Sequence, residues 1–214
     1  MKKIILFSFL ISGCSISYAQ RTYRAQNAEV FYNTPYETRN SGSFSRSTGI
    51  LSFGYGLSNN ATDGYSYVSG ANGTSRASFG PVYAKYEHGI IRDDIGLGGQ
   101  MAFSNTWVRY NNGSSRYRDN VSAFSFAMLG YYHFNKLIPV PRLDVYAGTG
   151  ISIRSLGYHY DSGLVENPSN HTDTNVYIVG RVGARYYVTD GFGFYAEAGY
   201  DNMSDVNLGI SFRL

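Results

Sequence analysis

The chain has 214 residues and a formal net charge of +3, most of it from Lys2 and Lys3 at the extreme N-terminus. Eighteen Lys+Arg less those two leaves 16 against 15 Asp+Glu, a near-neutral remainder that gives no basis for nucleic-acid binding. Mean hydropathy is −0.25, and outside the N-terminal leader there is no run of about 18 apolar residues, which excludes a helical membrane protein. A transmembrane barrel passes that test, because alternate residues of its strands are polar. Gly (25) and Tyr (21) are abundant against five prolines, and the single cysteine, Cys14, falls in the leader, so no disulfide is expected.

Met1 to Ala19 has the order of a secretory signal: Lys2-Lys3, the apolar run Ile4 to Ile11, then Ser17-Tyr18-Ala19 before Gln20. This predicts cleavage after Ala19. Ile11-Ser12-Gly13-Cys14 also resembles a lipobox, in which Cys14 would become a lipidated N-terminus. Residues 20–48 are polar and lack a clean period, with Thr34-Pro35 and a Ser/Arg/Gly run from Arg39. They are read as an N-terminal segment preceding the main domain of 49–214, with one short extended piece at Val30 to Tyr32.

From Gly49 onward a period of two is nearly continuous, and it predicts eight strands. The first is Gly49 to Leu57, with Leu51, Phe53 and Tyr55 opposite Ser52, Gly54 and Gly56. The second spans about Arg76 to His88, with an ambiguous register around Phe79-Gly80-Pro81. The third is Ile95 to Arg109 and the fourth Val121 to Phe134. The fifth is Leu143 to Tyr158, the sixth Asn175 to Val188 and the seventh Phe192 to Tyr200. Ser204 to Leu214 closes the series, with Val206, Leu208, Ile210, Phe212 and Leu214 on one face and Asn207, Gly209, Ser211 and Arg213 on the other.

A last strand with no tail to cover it must pair on both sides or remain an open edge, and closure removes the edge. The connections alternate: Ser58 to Ser75, Tyr110 to Asn120 and His159 to Thr174 are long and polar, whereas Gly89 to Asp94, Asn135 to Arg142 and Thr189 to Gly191 are shorter. Asp201 to Met203 forms a short fourth connection on the long-loop side. The predicted fold class is all-β, an eight-stranded antiparallel up-and-down transmembrane β-barrel. A soluble barrel of the lipocalin kind shows the same period with the apolar face turned inward. Two features favour the membrane form. Most of the glycines lie on the polar face, which suits a crowded small lumen. Aromatics such as Tyr55, Tyr86, Tyr132, Phe134, Tyr186 and Phe192 sit near strand ends, where interfacial girdles lie.

Asn207, Gly209, Phe212 and Leu214 resemble the polar-x-Gly-x-x-hydrophobic-x-hydrophobic ending of outer-membrane barrels, here with the aromatic two residues before the end instead of last. Over about Gly49 to Leu214 the chain resembles the small outer-membrane β-barrels of the OmpA/OmpX type. That resemblance implies an outer-membrane location, recognition of the C-terminal residues by the barrel-assembly machinery, and residues 20–48 in the periplasm. It also implies outer-membrane lipid and lipopolysaccharide as surroundings, an extracellular ligand of unknown identity, and a structural or adhesion-like role; a few relatives are enzymes or narrow pores.

In this reading Lys85, Glu87, Asp144, Arg154, Arg181, Arg185, Glu197 and Arg213 face the lumen, since Arg or Lys on the lipid face would cost roughly 2–4 kcal/mol near the midplane. They are expected to pair and plug the lumen, with Glu197 as a central acceptor. The alternative is a narrow, anion-leaning pore, because five of the eight are basic. His133 is expected as a hydrogen-bonded lumen residue near the short-turn end. His159-Tyr160-Asp161 and His171-Thr172-Asp173, with Glu166 between them, form the one candidate for metal binding or general-base chemistry. A solvated polar loop accounts for them as well, so no catalytic residue, metal or cofactor is assigned, and the protein is expected not to be an enzyme.

Overall fold

A computed structural model describes residues 43–62, 72–112, 115–160 and 170–214. The predicted signal and most of the N-terminal segment lie outside them. The strands are β1 (Gly49–Gly56), β2 (Asn72–Gly89), β3 (Ile95–Asn112), β4 (Ser115–His133), β5 (Leu143–His159), β6 (His171–Tyr187), β7 (Phe192–Tyr200) and β8 (Val206–Arg213). Each pairs antiparallel with its sequence neighbours, and β8 returns to β1 to close the barrel. The closing seam runs from Ile50↔Arg213 to Gly56↔Asn207.

The faces sort as the alternation requires, but inside out relative to a soluble protein. Phe126, Met128, Ile151, Val182 and Phe194 are 45–62% exposed on the outer wall. Lys85, Glu87, Asp144, Arg181, Arg185 and Glu197 are all buried in the lumen. Water would penalise that outer wall, whereas hydrocarbon suits it. Closure suits hydrocarbon too, since an unsatisfied backbone group there costs several kcal/mol. This rules out the lipocalin arrangement.

Aromatics mark both edges of the apolar band. Near the short turns, Tyr132 meets Phe134 at 5.2 Å, and Phe192 meets Phe194 and Phe212 at 5.3 and 5.5 Å. Tyr55, Phe79 and Tyr200 stand exposed toward the other rim. The lumen is filled by large rings over small residues. Gly54 and Gly209 oppose each other across the closing seam. The Tyr195 ring covers both, and a Cβ on either would overlap it. Toward the loop end an apolar layer of Tyr83, Ala102, Ala123, Leu156 and Met203 caps the charged interior.

One expectation needs correction. The long connections are largely strand: β3 and β4 continue until only 113–114 separate them, and β6 begins at His171 instead of Asn175. Ladder pairing carries these extensions, which alternate polar with polar, so their period is invisible in hydropathy. The strands β2 to β6 therefore run 17–19 residues, while β1, β7 and β8 have 8 or 9. The ambiguous register in β2 is a real irregularity. The β2–β3 ladder shifts between Phe79 and Val82, where Gly80 has φ +87° and the Gly80–Pro81 bond is cis.

Residues 43–48, which the sequence places in the preceding segment, pack into the short-turn mouth. Phe44 is buried and stacks on His133 with ring centroids 3.5 Å apart and planes 6° from parallel. The Asn135 amide donates to the Phe44 carbonyl at 3.0 Å.

Candidate functional site

The buried charges form two clusters stacked along the lumen. The lower one centres on His133, which β4 presents at its end. Its Nδ1 lies 2.7 Å from Asp144 Oδ1 on β5, and its Nε2 lies 2.5 Å from Glu87 Oε1 on β2. Arg185 on β6 forks across the same two carboxylates, donating to Asp144 Oδ2 at 2.9 Å and to Glu87 Oε2 at 2.6 Å. Two carboxylates facing both ring nitrogens complement an imidazolium, so the cluster balances two cations against two anions. The Arg185 guanidinium lies 3.9 Å from the Tyr146 ring centroid, a cation–π contact that separates this layer from the next.

The upper cluster centres on Glu197 of β7. It accepts from Lys85 on β2, from Arg181 on β6 at 3.1 Å, and from the Tyr146 hydroxyl at 2.7 Å. Lys85 also donates to Asn207 Oδ1 at 3.0 Å and sits over the Tyr83 and Tyr195 rings. Arg181 reaches on to a second carboxylate, Asp201, which also accepts from Gln100 at 3.0 Å. This cluster too balances two cations against two anions. Pairing at this quality matters, because breaking a buried ion pair leaves an uncompensated charge costing about 3–5 kcal/mol.

Six of the eight residues expected in the network belong to these clusters; Arg154 and Arg213 do not. Arg154 donates to the Asn202 carbonyl at 2.6 Å and the Tyr177 hydroxyl at 2.8 Å, bracing the loop-end rim. Arg213 donates to the carbonyls of Asp190 at 2.7 Å and Ser43 at 2.9 Å, and lies over the Tyr187 ring at the opposite mouth. The carbonyls they reach lie in the connections: Asn202 between β7 and β8, Asp190 between β6 and β7, and Ser43 before β1. Of the four C-terminal residues, Asn207 and Gly209 face the lumen, while Phe212 packs beside Phe192 and Leu214 is exposed.

The His-containing loop does not assemble into a site among the described residues. His159 and His171 lie on opposite faces of the β5–β6 ribbon, because His171 pairs with Tyr158. His171 Nε2 is 3.8 Å from Asp173 Oδ2, both about half exposed, and the His171 ring stacks on Tyr158 at 4.5 Å. Asp161 and Glu166 lie outside the described residues. No group of His, Cys, Asp and Glu among the described residues could hold a metal ion.

No family model and no curated protein sequence matches the chain. Solved structures do. The outer membrane protein OprG of Pseudomonas aeruginosa aligns over 81% of this chain and 98% of its own, with a TM-score of 0.51 at 12% identity. The fold is that of the small outer-membrane β-barrels. Two further structures of this kind are similar at lower scores. One is the N-terminal β-barrel domain of Pseudomonas aeruginosa OprF, at 15% identity over 80% of this chain and 99% of that one, TM-score 0.43. The other is the attachment invasion locus protein Ail of Yersinia pestis, at 14% identity over 80% and 99%, TM-score 0.45.

Within this outer-membrane-type barrel, Asp201 is the member of the network that sequence reasoning missed. The sequence places it in the short connection before the last strand. Its Oδ1 accepts the backbone amides of Met203 at 2.9 Å and Ser204 at 2.8 Å, the Asx geometry that tightens a turn and points the carboxylate inward. The Asp-Asn-x-Ser spelling of the turn was the available signal. Including Asp201, and with Arg154 and Arg213 at the rims, the lumen clusters hold Lys85, Arg181 and Arg185 against Glu87, Asp144, Glu197 and Asp201, plus His133. Within the two clusters the basic residues do not outnumber the acidic ones.

A third ion-pair group lies outside the strands that span the apolar band. Asp94, in the β2–β3 turn, is buried and accepts from Arg92 at 2.9 and 2.8 Å and from Lys136 of the β4–β5 turn at 3.0 Å. Burial alone would raise its pKa, but the hydrogen bonds from Lys136 and Arg92 outweigh it and hold the carboxyl below its usual range. A folded-state pKa below the unfolded value contributes stability that is present above the unfolded value of about 4 and is lost as pH falls through the folded one. Asp94→Asn should therefore lower stability at pH 7 by about 1 kcal/mol or less, the partners being exposed. Denaturant unfolding of both proteins in micelles checks this: the difference should begin to shrink as the pH falls below about 4 and vanish once the pH lies below the folded-state value. A difference that persists undiminished at low pH would show that the ion pairs are not its source.

Proposed function

We propose that this chain is an integral outer-membrane protein with a closed lumen and a structural or surface-interaction role, and that it is not an enzyme. The observation carrying the closed lumen is the pair of charge-balanced clusters, which span the interior from β2 to β5, β6 and β7. Eight strands enclose an interior just wide enough for side chains to fill, and these side chains fill it. The short turns would face the periplasm, as in known barrels, and the extended strands β2 to β6 would project from the cell. Such a rigid projecting sheet suits display or contact.

Planar-bilayer recording of the folded protein tests the closed lumen. No steady openings are expected in the wild type. Steady, anion-selective openings would mean that Lys85, Arg181 and Arg185 line a pore. The non-enzymatic half is tested by mass spectrometry of lipid A and outer-membrane lipids from a deletion strain. A reproducible change in acylation would replace this reading with that of a lipid-modifying enzyme.

A further inference from the structure

The stretch before β1 crosses the short-turn mouth and ties together strands that are not neighbours. Ser45 and Thr48 turn the chain there: the Ser45 amide donates to Thr48 Oγ1, and the Thr48 amide to the Ser45 carbonyl, both at 3.0 Å. On one side, Arg213 of β8 donates to the Ser43 carbonyl. On the other, Phe44 covers His133 of β4, and its carbonyl accepts from Asn135 in the turn that follows. β4 and β8 lie opposite each other in the ring of eight, with three strands between them either way. A third anchor is the β2–β3 turn. There Asp93 Oδ1 accepts the Arg46 amide at 3.0 Å, and the Ile90 carbonyl accepts Arg46 Nε at 3.1 Å. Gly89, at the end of β2, makes room for this approach, since a Cβ there would overlap the Ser45 carbonyl.

We propose that residues 43–48 are a lock, a strap that seats only after the barrel has closed and then holds the closing seam shut. The seat is not local. Arg213, His133, Asn135 and Gly89 come from β8, β4, the turn after β4, and β2, so ring closure must assemble them before the strap can bind. The seam is also where a lock is needed. The other ladders join strands consecutive in the chain, which stay tethered when they part, whereas the β1–β8 ladder joins the first strand to the last. Once parted, those two strands become open edges. The Arg213–Ser43 bond lies at the short-turn end of this seam, beside the Ile50↔Arg213 pair and the Leu214 amide on the Gly49 carbonyl. Pulling β8 away must break the Arg213 contact, and pulling the start of β1 away must lift the buried Phe44 ring off His133. Contacts made after the folding barrier slow unfolding and leave the folding rate unchanged. The lock depends on the barrel fold alone, not on the surface role proposed above.

Folding and unfolding rates of the full chain in zwitterionic micelles test this. They are read from the emission of Trp107, the single tryptophan, and from heat-modifiable gel mobility. F44A removes the ring, and G89A blocks the approach of the Ser45 carbonyl. Each should unfold roughly tenfold faster or more, with a folding rate within about twofold of the wild type. The F44A/G89A double variant should unfold no faster than the faster single one, because both changes release the same strap. Unchanged unfolding in both single variants would overturn the lock. So would folding slowed as much as unfolding is speeded, which would mean that the strap seats before closure. Effects that add in the double variant would show that Phe44 and Gly89 do not act through one strap. Failure of F44A and G89A to fold at all would place the strap on the path to closure and overturn the lock as well.

Discussion

Glu197→Ala should destabilise the folded barrel by roughly 3–5 kcal/mol, because it strands two buried cations. Lys85 would keep Asn207 and the faces of Tyr83 and Tyr195, and Arg181 would keep Asp201 and the face of Tyr83, in a layer that Tyr146 also closes off. Solvent cannot take the place of the missing carboxylate without opening the lumen. The measurement is the denaturant midpoint in micelles, followed by the gel shift between folded and unfolded forms. Adding Lys85→Met should recover part of the loss, since removing one stranded charge relieves one of the two penalties. A loss below about 1 kcal/mol would place Glu197 among ordinary surface ion pairs and end its role as central acceptor. The same variant tests the plug: if Glu197→Ala folds and conducts where the wild type does not, the cluster is what closes the lumen.

Deleting Phe212 to Leu214 should abolish assembly of the barrel. The truncation removes the pairs Leu51↔Phe212 and Ile50↔Arg213 at the closing seam. It also removes the hydrogen bonds from the Leu214 amide to Gly49 and from the Arg213 amide to Gly191, at 2.8 and 2.9 Å. In hydrocarbon each exposed backbone group costs several kcal/mol, so a partly opened seam is not a tolerable state. No heat-modifiable species should be recovered from membranes. The double substitution F212A/L214A separates closure from recognition by the assembly machinery. Leu214 is 75% exposed and Phe212 touches mainly Phe192, so the substituted chain should still fold in micelles. If it folds there yet fails to reach the membrane in cells, the two side chains act as the signal read during assembly. Normal assembly of the truncated chain would refute both roles.

The eight strands were legible because a transmembrane barrel writes its fold locally. Each strand residue within the apolar band faces either lipid or lumen, and the period of two survives wherever one of those is apolar. Leu208, Ile210 and Phe212 opposite Asn207, Gly209 and Ser211 needed no partner strand to be recognised. The same rule placed Lys85, Glu87, Asp144, Arg181, Arg185 and Glu197 in the lumen, since on the other face each would meet hydrocarbon. Past the apolar band both faces meet polar surroundings, the alternation carries no contrast, and the ends of β3, β4 and β6 disappeared into apparent loops.

Which charges touch was decided only in three dimensions. The ring closes β8 onto β1, and the register of eight antiparallel ladders sets the height at which each side chain enters the lumen. Glu87 and His133 are 46 residues apart in the chain yet 2.5 Å apart across the interior. Asp201 turned inward because its own turn needed a side-chain acceptor, and Arg154 and Arg213 found backbone carbonyls in the connections at the two mouths. Inward or outward is a property of one residue and its neighbours in sequence. Pairing in a closed lumen is a property of all eight strands at once.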